Sequence, residues 1–476
     1  MRQLSGQDAT FVFMEDRRSP LHLTTLYIYD PNTAAGARVT HKQLLAHIRS
    51  RLHSSKVFTQ KLHHVPMDLD FPYWVDDTNF DLEFHVRHIA LPTPRDWRQL
   101  CILTSRLHSR GLDMSRPPWE MYIIEGLDHV EGVPKGSFAV LSKYHHAAID
   151  GASGVEIISG LHDINAKPVR VKAPLPVAAA EPSRVDLMLR AGINNLRLPF
   201  KLGTVLARSR PELHWLPRRK EPEERRFEPP KLSVPKTRFN MPVTAHRVFT
   251  GCMLDLGDFK RVRKTVPGVT INDVILATCA GALRRYLLAA DELPPEPLVA
   301  AVPINTRTDS DREVTGNVVS MMSIALQTQL ADPLERLQVI RELTAAEKTT
   351  EKAVSARRLT DINHHLPATT LSMASRLISA TGLLHRSKPV FNLVITNVPG
   401  PQSPLYMCGA QLLATWGCGP VLDGIGLIIS AHSYNGKLFL CATSCREIIS
   451  DPAFFAQCLQ DSFDELRLAA SPKRRS

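Results

Sequence analysis

Period-two alternation runs through the first third of the chain. Leu23–Tyr29 and Gly136–Tyr144 alternate and are rich in β-formers, and Met121–Ile124 is a shorter run of the same kind, so each predicts a strand. Phe80–Ile89 alternates as well and predicts another. Apolar positions at helical spacing predict helices over His41–His53, Trp97–Arg110, Leu334–Ala356 and Ala453–Leu468. In the second half, Leu298–Val302 is a buried strand, and Val390–Val398 is another that ends in a tight turn at Pro399-Gly400-Pro401. Thr270-Ile-Asn272-Asp273 opens a helix, with Thr270 or Asn272 as its N-cap. Gly424–His432 and Lys437–Ser444 pair as a hairpin around Tyr434-Asn435-Gly436. Ala368–Leu384 is apolar with few charges and reads either as the wall of an apolar channel or as a buried helix.

Residues 167–247 break this pattern. Twelve prolines exclude a continuous core element there. Eighteen Lys and Arg against seven Asp and Glu place the whole net charge of +11 in this one segment, leaving the remainder of the 476 residues neutral. Arg184–Leu198 predicts an amphipathic helix, which either lies on a membrane surface or packs its apolar side on a domain. A basic segment beside a neutral body suits an anionic surface or ligand. Nucleic acid is the weakest of these, since no zinc spacing or other reader motif accompanies the charge. Met1–Asp8 lacks the apolar stretch of a secretion signal, and no run nears the roughly 18 apolar residues of a membrane span. The eight cysteines are scattered without a CxxC pair, so they read as reduced and suggest no metal site.

The chemistry concentrates in Lys143-Tyr-His145-His146-Ala-Ala-Ile-Asp150-Gly151, between a strand and a helix marked by Val155, Ile157, Ile158 and Leu161. A strand-to-loop junction holds an imidazole rigidly beside a cleft, and neutral histidine accepts a hydroxyl proton near pH 7. Asp150 either orients the loop or pairs with an arginine. The chain contains its own controls. His63-His64 also precedes an aspartate, Asp68, at this offset, but Pro66 interrupts it and Leu69 replaces the glycine; His364-His365 has no acid there.

The HHxxxDG pattern resembles the signature of the CoA-dependent acyltransferase superfamily. The resemblance narrows along the chain. Leu4-Ser-Gly-Gln-Asp8, Trp74–Asp77 with Phe80–His88, Arg116–Glu120, Asn272-Asp273, Pro303–Arg307, Gly316-Asn317 and Asn397–Pro401 together are similar to the bacterial wax ester synthase/diacylglycerol acyltransferase family. That family usually has Pro-Leu-Trp where this chain has Pro117-Pro118-Trp119, a departure that stiffens the loop; Trp119 itself reads as a buried anchor.

The resemblance implies an α/β fold of two chloramphenicol-acetyltransferase-like domains with the site in a channel between them. The corresponding division is 1–166 (the domain carrying HHxxxDG), 167–247 (the Pro-rich basic linker) and 248–476 (the second domain). It implies an enzyme that moves a fatty acyl group from acyl-CoA to a long-chain alcohol or diacylglycerol. His146 is then the general base, His145 its support and Asp150 structural, with no covalent acyl-enzyme, which suits the absence of a GxSxG elbow. Oxyanion or substrate candidates are Asn272, Thr396 and Gly400, for which capping, turn and backbone roles compete; Gly151 reads as a backbone position. Arg307 is the expected partner of Asp150, with Arg116 as the alternative. No cofactor or metal is expected, since acyl-CoA is a substrate. The expected setting is cytoplasmic, at the periphery of the inner membrane or of lipid inclusions. Two rivals stand beside this reading: a same-fold acyltransferase with another acceptor, and a catalytically silent lipid-binding member.

Overall fold

Burial of the alternating segments on both faces builds two large sheets. The computed structural model describes residues 1–149, 157–167, 181–208, 233–305, 319–349, 368–381 and 386–471. A small antiparallel sheet joins β1 (Arg2–Gln3), β3 (Gln60–His63) and β4 (Tyr73–Asp76). The first six-stranded sheet contains β2 (His22–Asp30), β5 (Val86–Ala90), β6 (Trp119–Glu125), β7 (Phe138–His145), β12 (Tyr406–Met407) and β13 (Ala410–Cys418), in the order β12-β13-β2-β7-β6-β5. The second contains β8 (Arg247–Asp255), β9 (Val299–Asn305), β10 (Val319–Ala325), β11 (Leu393–Pro399), β14 (Leu427–Tyr434) and β15 (Lys437–Cys445), in the order β10-β9-β11-β14-β15-β8. The helices in chain order are α1 (Gly6–Met14), α2 (His41–Arg51), α3 (Leu82–His85), α4 (Trp97–His108), α5 (Arg184–Arg208), α6 (Leu256–Thr265), α7 (Ile271–Ala289), α8 (Pro333–Thr349), α9 (Ala368–Thr381) and α10 (Pro452–Ala469).

Each large sheet has its own core, and β13 ties the two together. Residues 410–418 leave the second unit and pair antiparallel with β2, Trp416 opposite Leu26 and Cys418 opposite Thr24. A division of the chain at residue 248 therefore does not separate the sheets. Trp416 then packs on Trp97 of α4 (ring centroids 4.6 Å apart) and edge-on to Phe439 of β15 (5.0 Å), so the first core continues onto the second sheet. Gly251 on β8 permits this approach: a Cβ there would lie 2.5 Å from the Leu440 carbonyl oxygen and 3.0 Å from the Trp416 ring.

Two expectations are corrected. Phe80–Ile89 is not one strand. The Asp81 carboxylate accepts the Glu83 N–H and starts the single turn α3, and pairing with β6 begins only at Val86. The alternation there serves a stack instead, Phe80 on His85 and His85 on Trp119. The linker helix does not stop at Leu198 but continues through Pro199 to Arg208. It is docked on the first unit: Leu187 and Ala191 are buried against Val65, Tyr73 and Val75, and Asn194 donates to Asp70 at 2.7 Å. Ala368–Thr381 is helical, and residues 350–356 and 382–384 of the expected helical stretches lie outside the described residues.

Candidate active site

β7 ends at the histidine pair because its neighbours hold it there. The His145 N–H donates to the Pro118 carbonyl and the His146 N–H to the Leu21 carbonyl, each at 2.9 Å. Pro118, where a second proline removes a donor, thus serves as an acceptor. A single 3₁₀ turn, His146–Ala148, follows. Residues 157–161 are again helical and bury Ile157 and Leu161 in the first core.

The two rings have different environments. His145 is fully buried, and its Nδ1 accepts the Ala147 N–H at 3.1 Å. The proton of the neutral ring therefore sits on Nε2, which makes no hydrogen bond but lies 3.3 Å from Glu15 Oε2. His146 is half-buried and lies flat on Phe11 of α1, centroids 3.9 Å apart and planes 14° apart. Its Nδ1 is buried without a hydrogen-bond partner. Burial, and after it the neighbouring His145, push its pKa down to about 4, while its own backbone carbonyl acts the other way. His146 is therefore neutral at physiological pH.

A buried polar layer supports the pair. His22 stands opposite His145 on β2 and donates from Nε2 to the His108 carbonyl at 2.7 Å. His108 accepts from Thr24 Oγ1 at 2.8 Å and donates from Nε2 to the Gly419 carbonyl at 3.1 Å; burial pushes its pKa down to about 3. Lys143, wholly buried, donates to the Arg110 carbonyl at 2.7 Å and lies 3.7 Å from Glu120. Phe11, Glu15, His22 and His108 are the residues that sequence reasoning missed. They lie between 37 and about 135 positions from the pair, where no local spacing connects them.

The candidates on the second unit are placed but not joined to His146 by any hydrogen bond, ion pair or ring contact among the described residues. Thr270 is the N-cap of α7, in a capping box with Asp273, whose other oxygen accepts from Thr344 at 2.7 Å. Asn272 is left half-buried on the first turn of that helix. Thr396 is half-buried on β11 opposite Ser430 of β14. The Gly400 N–H donates to the Ser433 carbonyl at 2.9 Å, and a Cβ there would lie 2.3 Å from that oxygen, so the glycine permits close backbone approach. Arg116 lies over the Phe84 ring and 3.6 Å from Asp113. Asp150, Gly151 and Arg307 lie outside the described residues.

The eight cysteines are free, and burial raises every thiol, Cys279 and Cys441 to about 12, so none is a ready thiolate. Among the described residues no group of three or more His, Cys, Asp and Glu is arranged to hold a metal ion.

Comparison with known proteins covers nearly the whole chain. Residues 4–275 match the wax ester synthase/diacylglycerol acyltransferase catalytic domain, and residues 315–467 match the WS/DGAT C-terminal domain. The O-acyltransferase WSD of Acinetobacter baylyi is 34% identical over 464 residues, 94% of this chain and 93% of that protein. A Mycobacterium tuberculosis protein provisionally named a diacylglycerol O-acyltransferase is 33% identical over 467 residues, 98% of this chain and 90% of that one. Among solved structures, the wax ester synthase/diacylglycerol acyltransferase of Marinobacter aquaeolei VT8 superposes with a TM-score of 0.68 at 27% identity, covering 98% of this chain and 99% of that one. The first condensation domain of the CDA synthetase shares the fold alone, with a TM-score of 0.55 at 14% identity and coverage of 99% and 97%.

Proposed function

The chain belongs to the wax ester synthase/diacylglycerol acyltransferase family and is an O-acyltransferase; from that premise we propose that His146 is the general base of direct acyl transfer from acyl-CoA to a lipid hydroxyl. The observation that carries this is the neutral, half-buried imidazole just past the end of β7, held flat on Phe11 beside a His145 that is fully buried, with Nδ1 bonded to the Ala147 N–H and Nε2 facing Glu15. His146 takes the acceptor's hydroxyl proton as that oxygen attacks the thioester carbonyl. The C–O bond forms, the tetrahedral intermediate collapses, the C–S bond breaks, and His146 returns the proton to the CoA sulfur. Asn272 and Thr396 are the proposed oxyanion donors. Asn272 has the stronger case, because a helix first turn adds its own backbone dipoles to the side-chain amide. For Asp150 and Arg307, which lie outside the described residues, the proposed roles are those the family resemblance implies: an aspartate that orients the loop and an arginine as its partner.

Long-chain alcohol and diacylglycerol both present a hydroxyl on a long apolar body, and either suits this chemistry. The test is CoA-thiol release from palmitoyl-CoA with hexadecanol, with diacylglycerol and without acceptor, the lipid products being resolved. Acceptor-dependent release yielding wax ester or triacylglycerol is expected. Release that is equal without acceptor, or absent from folded protein, would reject the reading.

Water-insoluble acceptors call for an interfacial enzyme, and α5 has the surface for it. Among the described residues no helix is long and apolar enough to cross a membrane. The side of α5 opposite its docked stripe exposes Val185, Met188, Leu189, Ile193 and Leu196, next to Arg184 and Arg190. An apolar stripe edged by arginines suits anionic headgroups. Peripheral attachment of this kind predicts that Leu189→Glu with Ile193→Glu lowers flotation with phosphatidylglycerol vesicles at least tenfold, since each buried aliphatic side chain contributes about 1.5–3 kcal/mol. Undiminished flotation would remove α5 from the contact.

A further inference from the structure

Helix α1 and its C-cap residue together reach both histidines. Phe11 lies on the helix and Glu15 is its C-cap, the first residue past Met14, where the backbone turns extended. The Phe11 ring covers one face of His146. Glu15 faces the Nε2 of His145, and its second oxygen accepts the Leu21 N–H at 3.1 Å. Leu21 in turn accepts the His146 N–H. These contacts close a ring: Glu15 to Leu21, Leu21 to His146, His145 back to Glu15. His145 then uses its remaining nitrogen to hold the Ala147 amide and with it the turn.

Resting on the assignment of His146 as base, we propose that Phe11 and Glu15 are positioning residues for the acyl-transfer step. Glu15 keeps His145 in the Nε2–H tautomer, which leaves Nδ1 free to accept from Ala147 and bars His145 from acting as a base itself. Phe11 sets the plane of the His146 ring and keeps water from one of its faces. The division of labour between two adjacent histidines thus comes from α1 and its C-cap rather than from the motif. The helix is itself well fixed. Ser5 caps its start, and it packs against α9, whose Leu371 shares a cluster with Ala9, Phe13, Ala147 and Ala148. Among the titratable groups on α1 and the turn, Asp8 is bonded to Ser5, Glu15 faces His145, and His145 is the one that acts on His146.

The test compares Glu15→Leu, Glu15→Gln, Phe11→Ala, Phe11→Tyr and His146→Ala in the full-length protein. Palmitoyl-CoA turnover is followed from pH 4.5 to 8.5, with thermal melts alongside. Glu15→Leu should lower kcat about 30- to 100-fold with KM for palmitoyl-CoA within threefold. Glu15→Gln should fall between it and wild type, because it keeps one oxygen acceptor but loses the charge and puts an amide N–H₂ in place of the other carboxylate oxygen. Phe11→Ala admits water to the ring, so the acid limb of kcat/KM should move up by about one pH unit toward ordinary histidine, while Phe11→Tyr keeps the wild-type limb. A Glu15→Leu kcat within threefold of wild type, or one limb shared by Phe11→Ala and Phe11→Tyr, overturns the proposal. Should Glu15→Leu not fold, an unchanged kcat in Glu15→Gln overturns it equally. Activity surviving in His146→Ala would defeat the base assignment itself. A dead His146→Ala beside fully active Glu15 and Phe11 variants would defeat the positioning role alone.

Discussion

His146→Ala should lower acceptor-dependent CoA release by about 10²- to 10⁴-fold, the range a positioned general base contributes, with KM for palmitoyl-CoA nearly unchanged. The ring stacks on Phe11, and the hydrogen bond to Leu21 is made by the His146 backbone and survives its removal, so the fold is left standing. A parallel expectation concerns pH. The base works only when neutral, and burial holds His146 near 4, so kcat/KM should stay flat from about pH 8 down to about 5.5 and fall only below that. An ordinary histidine would already lose activity near 6.5. His145→Ala is a different case. His145 is wholly buried and bonded on one side, so its loss disturbs the turn and lowers stability together with rate. A His146→Ala variant retaining more than a tenth of wild-type turnover would shift the base role elsewhere.

What the chain reveals before folding is whatever depends on neighbours. The strand carrying the histidines, the β14–β15 hairpin and the capped start of α7 are all local, each set by alternation, turn residues or a cap within a few positions. Trp119 is buried as its surroundings suggested, 1% exposed, with its indole N–H donating to the Phe58 carbonyl at 3.0 Å. The errors have local causes too: Phe80–His85 alternates because it stacks aromatic rings, not because it pairs in a sheet. The crossing of β13 into the first sheet is of another kind. Nothing in Ala410–Cys418 marks it for a partner almost 400 residues earlier, and only the completed β2 edge selects it. The catalytic neighbourhood has the same character. HHxxxDG marks the histidine proposed as base, but the groups that contact the pair come from α1, its C-cap and β2, brought in by topology.

The same distant support predicts the second large effect, on stability. Glu120→Gln should cost about 3–5 kcal/mol near pH 7, because removing one partner of a buried ion pair leaves the other charge uncompensated. Lys143 has no exposure, and Glu120 is the carboxylate beside it, also bonded to the Tyr122 hydroxyl at 2.8 Å and 3.2 Å from Arg87. Burial lowers the Lys143 pKa to about 8, with Glu120 the main influence acting against it. Its folded pKa therefore lies below its unfolded value of about 10.4, and between the two the unfolded chain binds more protons. Wild-type stability must then rise with pH across that window. Without the Glu120 charge the folded pKa drops further, the window opens at lower pH, and the variant is hurt most where Lys143 would still be protonated in wild type. Urea denaturation from pH 6 to 9.5 should show the two stabilities diverging below about pH 8 and converging above it. A gap that is constant with pH, or below about 1 kcal/mol at pH 7, would mean that the pair contributes little beyond its hydrogen bonds. Lys143 is two residues before His145 on β7, so a variant destabilised in this way should also lose activity at pH 7 and regain part of it as pH rises, whereas His146→Ala would stay inactive throughout.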